Sequence, residues 1–269
     1  MTTSLFSVLA LVLYLAAGAY VVYRLARQQT VDQGGRPGLF VPATLAAAFH
    51  LRVLADNFFT GSGLNFGIFN AISLLSWLIV MLLLLGALRR PVANLGMAIF
   101  PLAALALLLE MIFPSEHIVA GGSVTLKLHI LFSIISYSIY TLAAFQAILL
   151  AVQDRHLHNR HPGGFVRVLP PLQTMESLLF QLIGLGLVLQ SLSLATGFVF
   201  LEDMFAQHLA HKTVLSIIAW LIFATLLWGH WRFGWRGKRA IRVTLSGFAF
   251  LLLAYIGTKV VLEIILGYS

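Results

Sequence analysis

Eight apolar stretches separated by short polar breaks run along the chain. A run of about 20 apolar residues crosses about 30 Å of hydrocarbon, and only a helix does so without leaving backbone groups unpaired in lipid. The pattern therefore predicts helices over Ser4–Tyr23, Phe40–Ala55, Phe66–Leu88, Ala93–Phe113, Val124–Val152, Leu178–Phe200, Thr213–His230 and Ala240–Leu266. The fold class expected is all-α: a polytopic membrane bundle of eight transmembrane helices forming one integral membrane domain over residues 1–269. No small-residue cleavage site follows the first stretch, which reads as a retained helix. The longest break, Gln153–Thr174, reads as a solvated loop carrying His156, His158 and His161, with a metal-binding histidine tract as the other reading.

Charge orients these spans. One set of alternate loops holds Arg24, Arg27, Arg36, Arg89, Arg90, Arg155, Arg160, Arg167, Arg232, Arg236, Lys238, Arg239 and Arg242. The other side holds only Arg52, Lys127, Lys212 and Lys259. Thirteen cations against four, of 17 in the chain, mark the first set as cytoplasmic. Both termini then face outward, into the periplasm of a bacterial cell whose inner membrane the chain crosses.

Composition narrows the function. With 60% hydrophobic and 10% charged residues, and a mean hydropathy of +0.95, the chain departs far from a soluble domain. Its net charge of +8 does not point to nucleic acid, because the cations cluster at span ends where they meet anionic lipid of the bilayer. The absence of cysteine excludes disulfides, thiolate zinc sites, thiol nucleophiles and thioether attachment of haem by this chain. No catalytic motif appears: there is no G-x-S-x-G, phosphate-cradling glycine loop or H-E-x-x-H. Nothing in the sequence marks an enzyme.

Ionisable groups within spans carry a functional hypothesis by default. Glu110, Lys127 and Glu263 fall near span ends, where they are expected to reach water. Three histidines lie deeper. His129 heads a polar stripe with Ser133, Ser136 and Tyr140 at i+4, i+7 and i+11, one helix face. That stripe fits hydrogen bonding between helices, a ligand site, or the lining of a small-solute transporter. His50 fits either a pairing with Asp56 or an iron ligand. His230, between Trp228 and Trp231, fits either an interfacial anchor or an iron ligand. Two imidazoles hold haem without cysteine, and Arg232 and Arg236 are placed to meet its propionates. Gly184, Gly186 and Gly197 read as sites of close helix packing, and Gln181 and Gln190 as bonds between helices.

Several ordered features resemble the cytochrome c assembly integral membrane proteins (the CcsA/CcmC/HemX group), especially the YpjD-like inner-membrane members. The resemblance runs over most of the chain and is strongest over 40–90 and 124–269. It rests on FHLRVLADNFF with LNFGIFNAISLLSWLI after it, on LKLHILFSIISYSIYTLA, on ATGFVF, and on the late His230 before the Gly234–Gly237 turn. Within the second stretch it falls on Asn65 or Asn70, Ser73 and Trp77. The resemblance implies that His50 and His230 are axial ligands of a non-covalent haem b within the membrane and that His129 belongs to an outer haem site. It also implies partner proteins of cytochrome c maturation or haem synthesis. Two features depart from the haem-delivering members. LEDMFAQHLAHKT stands where they carry a tryptophan-rich outer loop, and the ILGYS ending lacks their second outer histidine. The resemblance thus implies a haem-binding scaffold more than a haem-presenting synthetase, with a non-enzymatic HemX-like regulatory or scaffold protein without haem-delivery activity as the alternative.

Overall fold

A computed structural model describes residues 2–30, 36–60, 63–113, 118–119, 124–158, 164–200 and 210–257. All eight apolar stretches fall on helices: α1 (Thr2–Ala26), α2 (Arg36–Phe58), α3 (Ile68–Ala87), α4 (Gly96–Ile112), α5 (Val124–His158), α6 (Leu172–Phe200), α7 (Ala210–Phe233) and α8 (Gly237–Leu252). Seven spans are long and apolar enough to cross a membrane, by length and composition. The α8 helix is shorter and opens with three cations, Lys238, Arg239 and Arg242, before widening into a π-helical turn over Leu253–Gly257. The rest of the eighth expected stretch lies outside the described residues.

The chain divides into two compact units, residues 1–120 with 155–171 and residues 121–154 with 172–269. In the first, α1 packs on α2 and α4, and α3 packs on α2 and α4, which closes a ring of four helices. Ala10, Tyr14, Ala17, Val21 and Leu25 follow the helical period along α1 and are almost wholly buried. Leu5, Val8, Val12, Leu15 and Val22 stand exposed on its other sides. Both faces are apolar, as a lipid-facing helix requires, so hydrophobicity alone does not separate inside from outside. At one point the packing is close: the backbone at Gly18 approaches Pro101 of α4 so closely that an added Cβ would lie 3.1 Å from its ring.

A three-stranded antiparallel sheet, unforeseen in the sequence, closes one end of this unit. β1 (Phe59–Thr60) pairs with β2 (Gly63–Asn65), which pairs with β3 (Ile118–Val119) through Leu64↔Val119 and Asn65↔Ile118. Strands of two or three residues carry no alternation long enough to read, and tertiary pairing alone creates them.

In the second unit α7 packs on α6 and α8, and its core is a stack of rings. Tyr140 of α5 lies parallel to Phe223 of α7 with centroids 4.0 Å apart. Gly186 of α6 lies so close to Tyr140 that an added Cβ would be 2.8 Å from the ring, and one at Gly247 of α8 would be 2.9 Å from Phe223. Two glycines thus bracket two aromatic rings and bring four helices together.

The expected loop Gln153–Thr174 is shorter than its polarity suggests. Helix α5 runs on through Arg155, His156 and His158, and a short 3₁₀ turn spans Gly164–Val168 before α6 begins at Leu172. No helix breaker interrupts this segment before Pro162, so polarity alone did not end the helix. His161 lies outside the described residues, and among those described no three metal-ligating side chains come together.

Candidate functional site

Helix α2 carries His50 into the middle of the first unit, where it is completely buried. Both ring nitrogens are engaged: Nδ1 with the Tyr14 hydroxyl of α1 at 3.2 Å, and Nε2 with the Ser73 hydroxyl of α3 at 2.8 Å. Two turns of apolar helix supply no other partner, so these hydroxyls keep an imidazole from standing unpaired in a lipid-embedded core. The expected pairing with Asp56 is absent. Asp56 instead accepts from Arg52 at 2.8 Å, with Thr3 at 3.2 Å. Residues four apart share a helix face, whereas His50 and Asp56, six apart, lie about 120° apart around it.

Ser73 links this site to a second buried polar group. It stands beside Glu110 of α4, whose Oε1 accepts the Asn57 amide of α2 at 2.9 Å. Glu110 is 5% exposed, which corrects the expectation that its place near a span end brings it to water. Position along a helix set that expectation; the face it occupies, towards α2, decided the outcome. Lys127 is exposed, as expected, and Glu263 lies outside the described residues. Trp77, from the same α3 stretch as Ser73, donates to the Ala47 carbonyl at 2.8 Å and ties α3 to α2.

The second unit holds His230 on the last turn of α7. Gly234, with φ +66°, ends that helix: its N–H bonds the His230 carbonyl at 3.1 Å, and Trp235 N–H bonds the Gly229 carbonyl at 3.2 Å. Only glycine takes this left-handed step without strain. The turn folds the Trp235 carbonyl back to the His230 ring, with Nδ1 at 2.9 Å. A carbonyl only accepts, so Nδ1 carries a proton, and the tautomer of the neutral ring that fits this bond has its lone pair on Nε2. Phe180 of α6 stacks on the imidazole at 3.6 Å between centroids and 17° between planes.

A cleft of about 570 Å³ opens beside this ring, lined by Gln173, Glu176, Ser177, Phe180, Gln181, His230 and Arg236. An aromatic wall, an imidazole with one nitrogen not engaged by the protein and a guanidinium are the groups a haem edge requires: an apolar face, an iron ligand and a cation for a propionate. These residues fit the group. Of the two arginines proposed for that cation, Arg236 lines the cleft, while Arg232 is exposed and does not.

His129 of α5 donates from Nδ1 to the Ser193 carbonyl of α6 at 2.8 Å, and its ring lies against Gly197, 3.1 Å from the Cβ a larger residue would carry. The rest of its stripe ties helices together. Ser133 bonds Ser193, Ser136 donates to the Gly186 carbonyl, and Tyr140 donates to Gln190, which donates to the Ser216 carbonyl of α7. Tyr137 reaches the Leu251 carbonyl of α8 at 3.0 Å. Gln190 thus joins three helices as expected, whereas Gln181 bonds only Ser177 within its own helix. Gly186 and Gly197 serve close packing, but nothing lies within 4 Å of a Cβ at Gly184.

Sequence reasoning missed Tyr14, Glu176 and Phe180. Tyr14 is one of several hydroxyls in α1, with Ser7, Tyr20 and Tyr23 among the others, so nothing singled it out, whereas a lone carboxylate just ahead of an expected span marked Glu176. Phe180 had no signal, being one of 20 phenylalanines.

Membrane-length helices, with His50 buried and His129 and His230 partly exposed, define a helical integral membrane protein in which no three metal-ligating side chains come together among the described residues. Residues 39–266 match the model of the cytochrome c assembly protein family, and the chain belongs to that family. It is 32% identical to the inner membrane protein YpjD of Escherichia coli strain K12 over 266 residues, 97% of this chain and 98% of that one. A 28.8 kDa protein from the nifR3-like 5′ region of Azospirillum brasilense is 30% identical over 275 residues, again 97% and 98%. The cytochrome c biogenesis protein CcsA of Porphyra purpurea is 27% identical over 213 residues, 65% of this chain and 66% of the relative. No solved structure gives a significant match.

Proposed function

We propose that this protein is an eight-span inner-membrane protein, both termini periplasmic, that binds haem b non-covalently in cytochrome c assembly or haem handling. Membership of the cytochrome c assembly family and similarity to a CcsA support the cellular setting. Similarity to an inner membrane protein supports the location, and the cation bias of the loops supports the orientation. One observation carries the haem reading: the Trp235 carbonyl holds the Nδ1 proton of His230, leaving Nε2 bare beside a cleft that Phe180 and Arg236 also line. A ligating histidine characteristically donates its other N–H to a carbonyl or carboxylate.

His230 would then hold the iron, with Arg236 placed to meet a propionate and Arg232 a second cation near the same turn. His50 would be a further candidate in the first unit to hold haem iron, through Nε2. His129, with Nδ1 likewise held by a carbonyl, is the candidate for an outer site. Bound haem supplies an iron centre able to change oxidation state; the protein residues supply its ligands, its apolar walls and its charge balance. Protein purified in mild detergent from haem-replete cells should give a b-type reduced-minus-oxidised spectrum. His50→Ala and His230→Ala should each abolish it. A haem-free preparation that also takes up no added hemin removes this reading.

A second reading, a non-enzymatic scaffold or regulatory subunit, is favoured by His50 itself, since both of its nitrogens are satisfied within the protein. It predicts a stable membrane partner in pull-downs. It also predicts that the two alanine variants, if they fold, complement a deletion strain in full; failure to complement by a folded variant counts against it.

A further inference from the structure

We infer that Glu176 is a positioning residue for His230: it holds the Gly234–Gly237 turn so that the Trp235 carbonyl keeps the imidazole proton on Nδ1 and leaves Nε2 as the free nitrogen of the neutral ring. The ligand role of that nitrogen rests on the haem reading; the positioning does not.

The argument starts at the head of α8. A helix start leaves backbone N–H groups without intrahelical partners, and a residue such as Ser or Asp usually caps them. Here the capping position is Arg236, with φ −149° and ψ 177°, and it makes no side-chain cap bond. A guanidinium has no acceptor atom, so it has none to offer. The acceptor arrives from another helix instead: Glu176 Oε1 of α6 takes the Gly237 N–H at 2.5 Å. An anion at a helix N-terminus also meets the positive end of the helix dipole, which strengthens this contact. Gly237 has φ +56°, the second left-handed glycine of a turn whose first is Gly234.

Two left-handed glycines within four residues leave the turn few internal restraints. The Trp235 ring lies over Gly229, where an added Cβ would be 2.3 Å away, and Arg239 lies over the other part of that ring at 4.9 Å. Those contacts fix the side chain of Trp235. The Glu176 bond fixes the backbone that follows it, and with it the direction of the Trp235 carbonyl. Four residues on along α6, on the same face, Phe180 stacks on the His230 ring. One face of α6 therefore sets both the plane of the imidazole, through Phe180, and its tautomer, through Glu176.

The test reads the tautomer in the haem-free full-length protein. Histidine labelled with ¹⁵N is observed in detergent, with His230 signals assigned by their absence in His230→Gln. Wild type should show Nδ1 protonated and Nε2 bare. Glu176→Gln keeps both the reach and an acceptor oxygen, so it should keep this pattern. Glu176→Ala has no acceptor, and Glu176→Asp is one methylene too short; both should show exchange averaging over the two tautomers. Glu176→Asp also keeps the charge, so it separates reach from electrostatics and serves if the alanine variant does not fold. A wild-type His230 protonated on Nε2, or an unchanged pattern in the short variants, overturns the inference. Hemin titration is the independent arm, with affinity expected to fall about 10-fold in Glu176→Asp and to stay near wild type in Glu176→Gln. If wild type takes up no hemin while the tautomer responds as stated, the haem reading fails and the role of Glu176 stands.

Discussion

At His50 both ring nitrogens are engaged by hydroxyls of neighbouring helices and no part of the side chain meets solvent. At His230 one nitrogen is engaged, by a carbonyl of its own turn, and the ring borders a cleft. The same residue type thus has both nitrogens engaged in the first unit and only one engaged in the second. The difference lies in the partners. Hydroxyls both donate and accept, so Tyr14 and Ser73 satisfy either tautomer of His50 and close the site. A carbonyl only accepts, so Trp235 selects one tautomer and leaves the other nitrogen open. Both histidines fall within the stretch that matches the family, and their surroundings differ.

The largest test of this contrast is stability. His50→Ala removes a fully packed ring and strands two hydroxyls, and should cost about 3 kcal/mol in a detergent unfolding titration. His230→Ala should cost about 1 kcal/mol, since it loses one hydrogen bond and one ring contact at a partly exposed position. Equal losses would break the comparison.

Next comes Gly229→Ala. Its methyl group would occupy the place of the Trp235 ring, so the variant should lose about 2 kcal/mol and weaken hemin uptake along with the displaced turn. Wild-type stability and uptake would show that the ring does not hold the turn.

A smaller effect sharpens the closed site. Tyr14→Phe should lose about 1 kcal/mol, one buried hydrogen bond. Ser73→Ala should lose a similar amount, about 1 kcal/mol, yet bind hemin more tightly than wild type, because it frees Nε2 of His50. Weaker binding in Ser73→Ala would argue that Ser73 supports the ligand form of His50 and does not compete with it.

Smallest of all is Arg52→Ala. Its ion pair with Asp56 is exposed, and losing it should change stability by less than about 0.5 kcal/mol. A loss as large as that of His50→Ala would mean that the Arg52–Asp56 pair, and not the buried ring, anchors α2.

How much of this was legible beforehand differs by kind. The order of eight helices could be read from apolar length, because hydrocarbon thickness imposes it on any spanning segment. His50, His129 and His230 stood out for the same reason: a polar group in an apolar run is conspicuous. The stripe below His129 was visible as a helix face, and its bonds to Ser193, Gly186 and Gln190 settle what most of that face does. The sheet of β1 to β3, the helical end of α5 and the burial of Glu110 were not legible, since each depends on which neighbour a segment meets.

By itself the sequence determined where the chain enters and leaves an apolar phase, since transfer free energy is a local sum over side chains. It also determined which polar residues that phase isolates. Tertiary structure alone decided what those residues hold. Tyr14 and Ser73 lie 36 and 23 positions from His50 in sequence, and Glu176 lies 61 from Gly237. A hydrogen bond is set by a few tenths of an ångström between atoms, and no local pattern records which distant atoms packing brings that close.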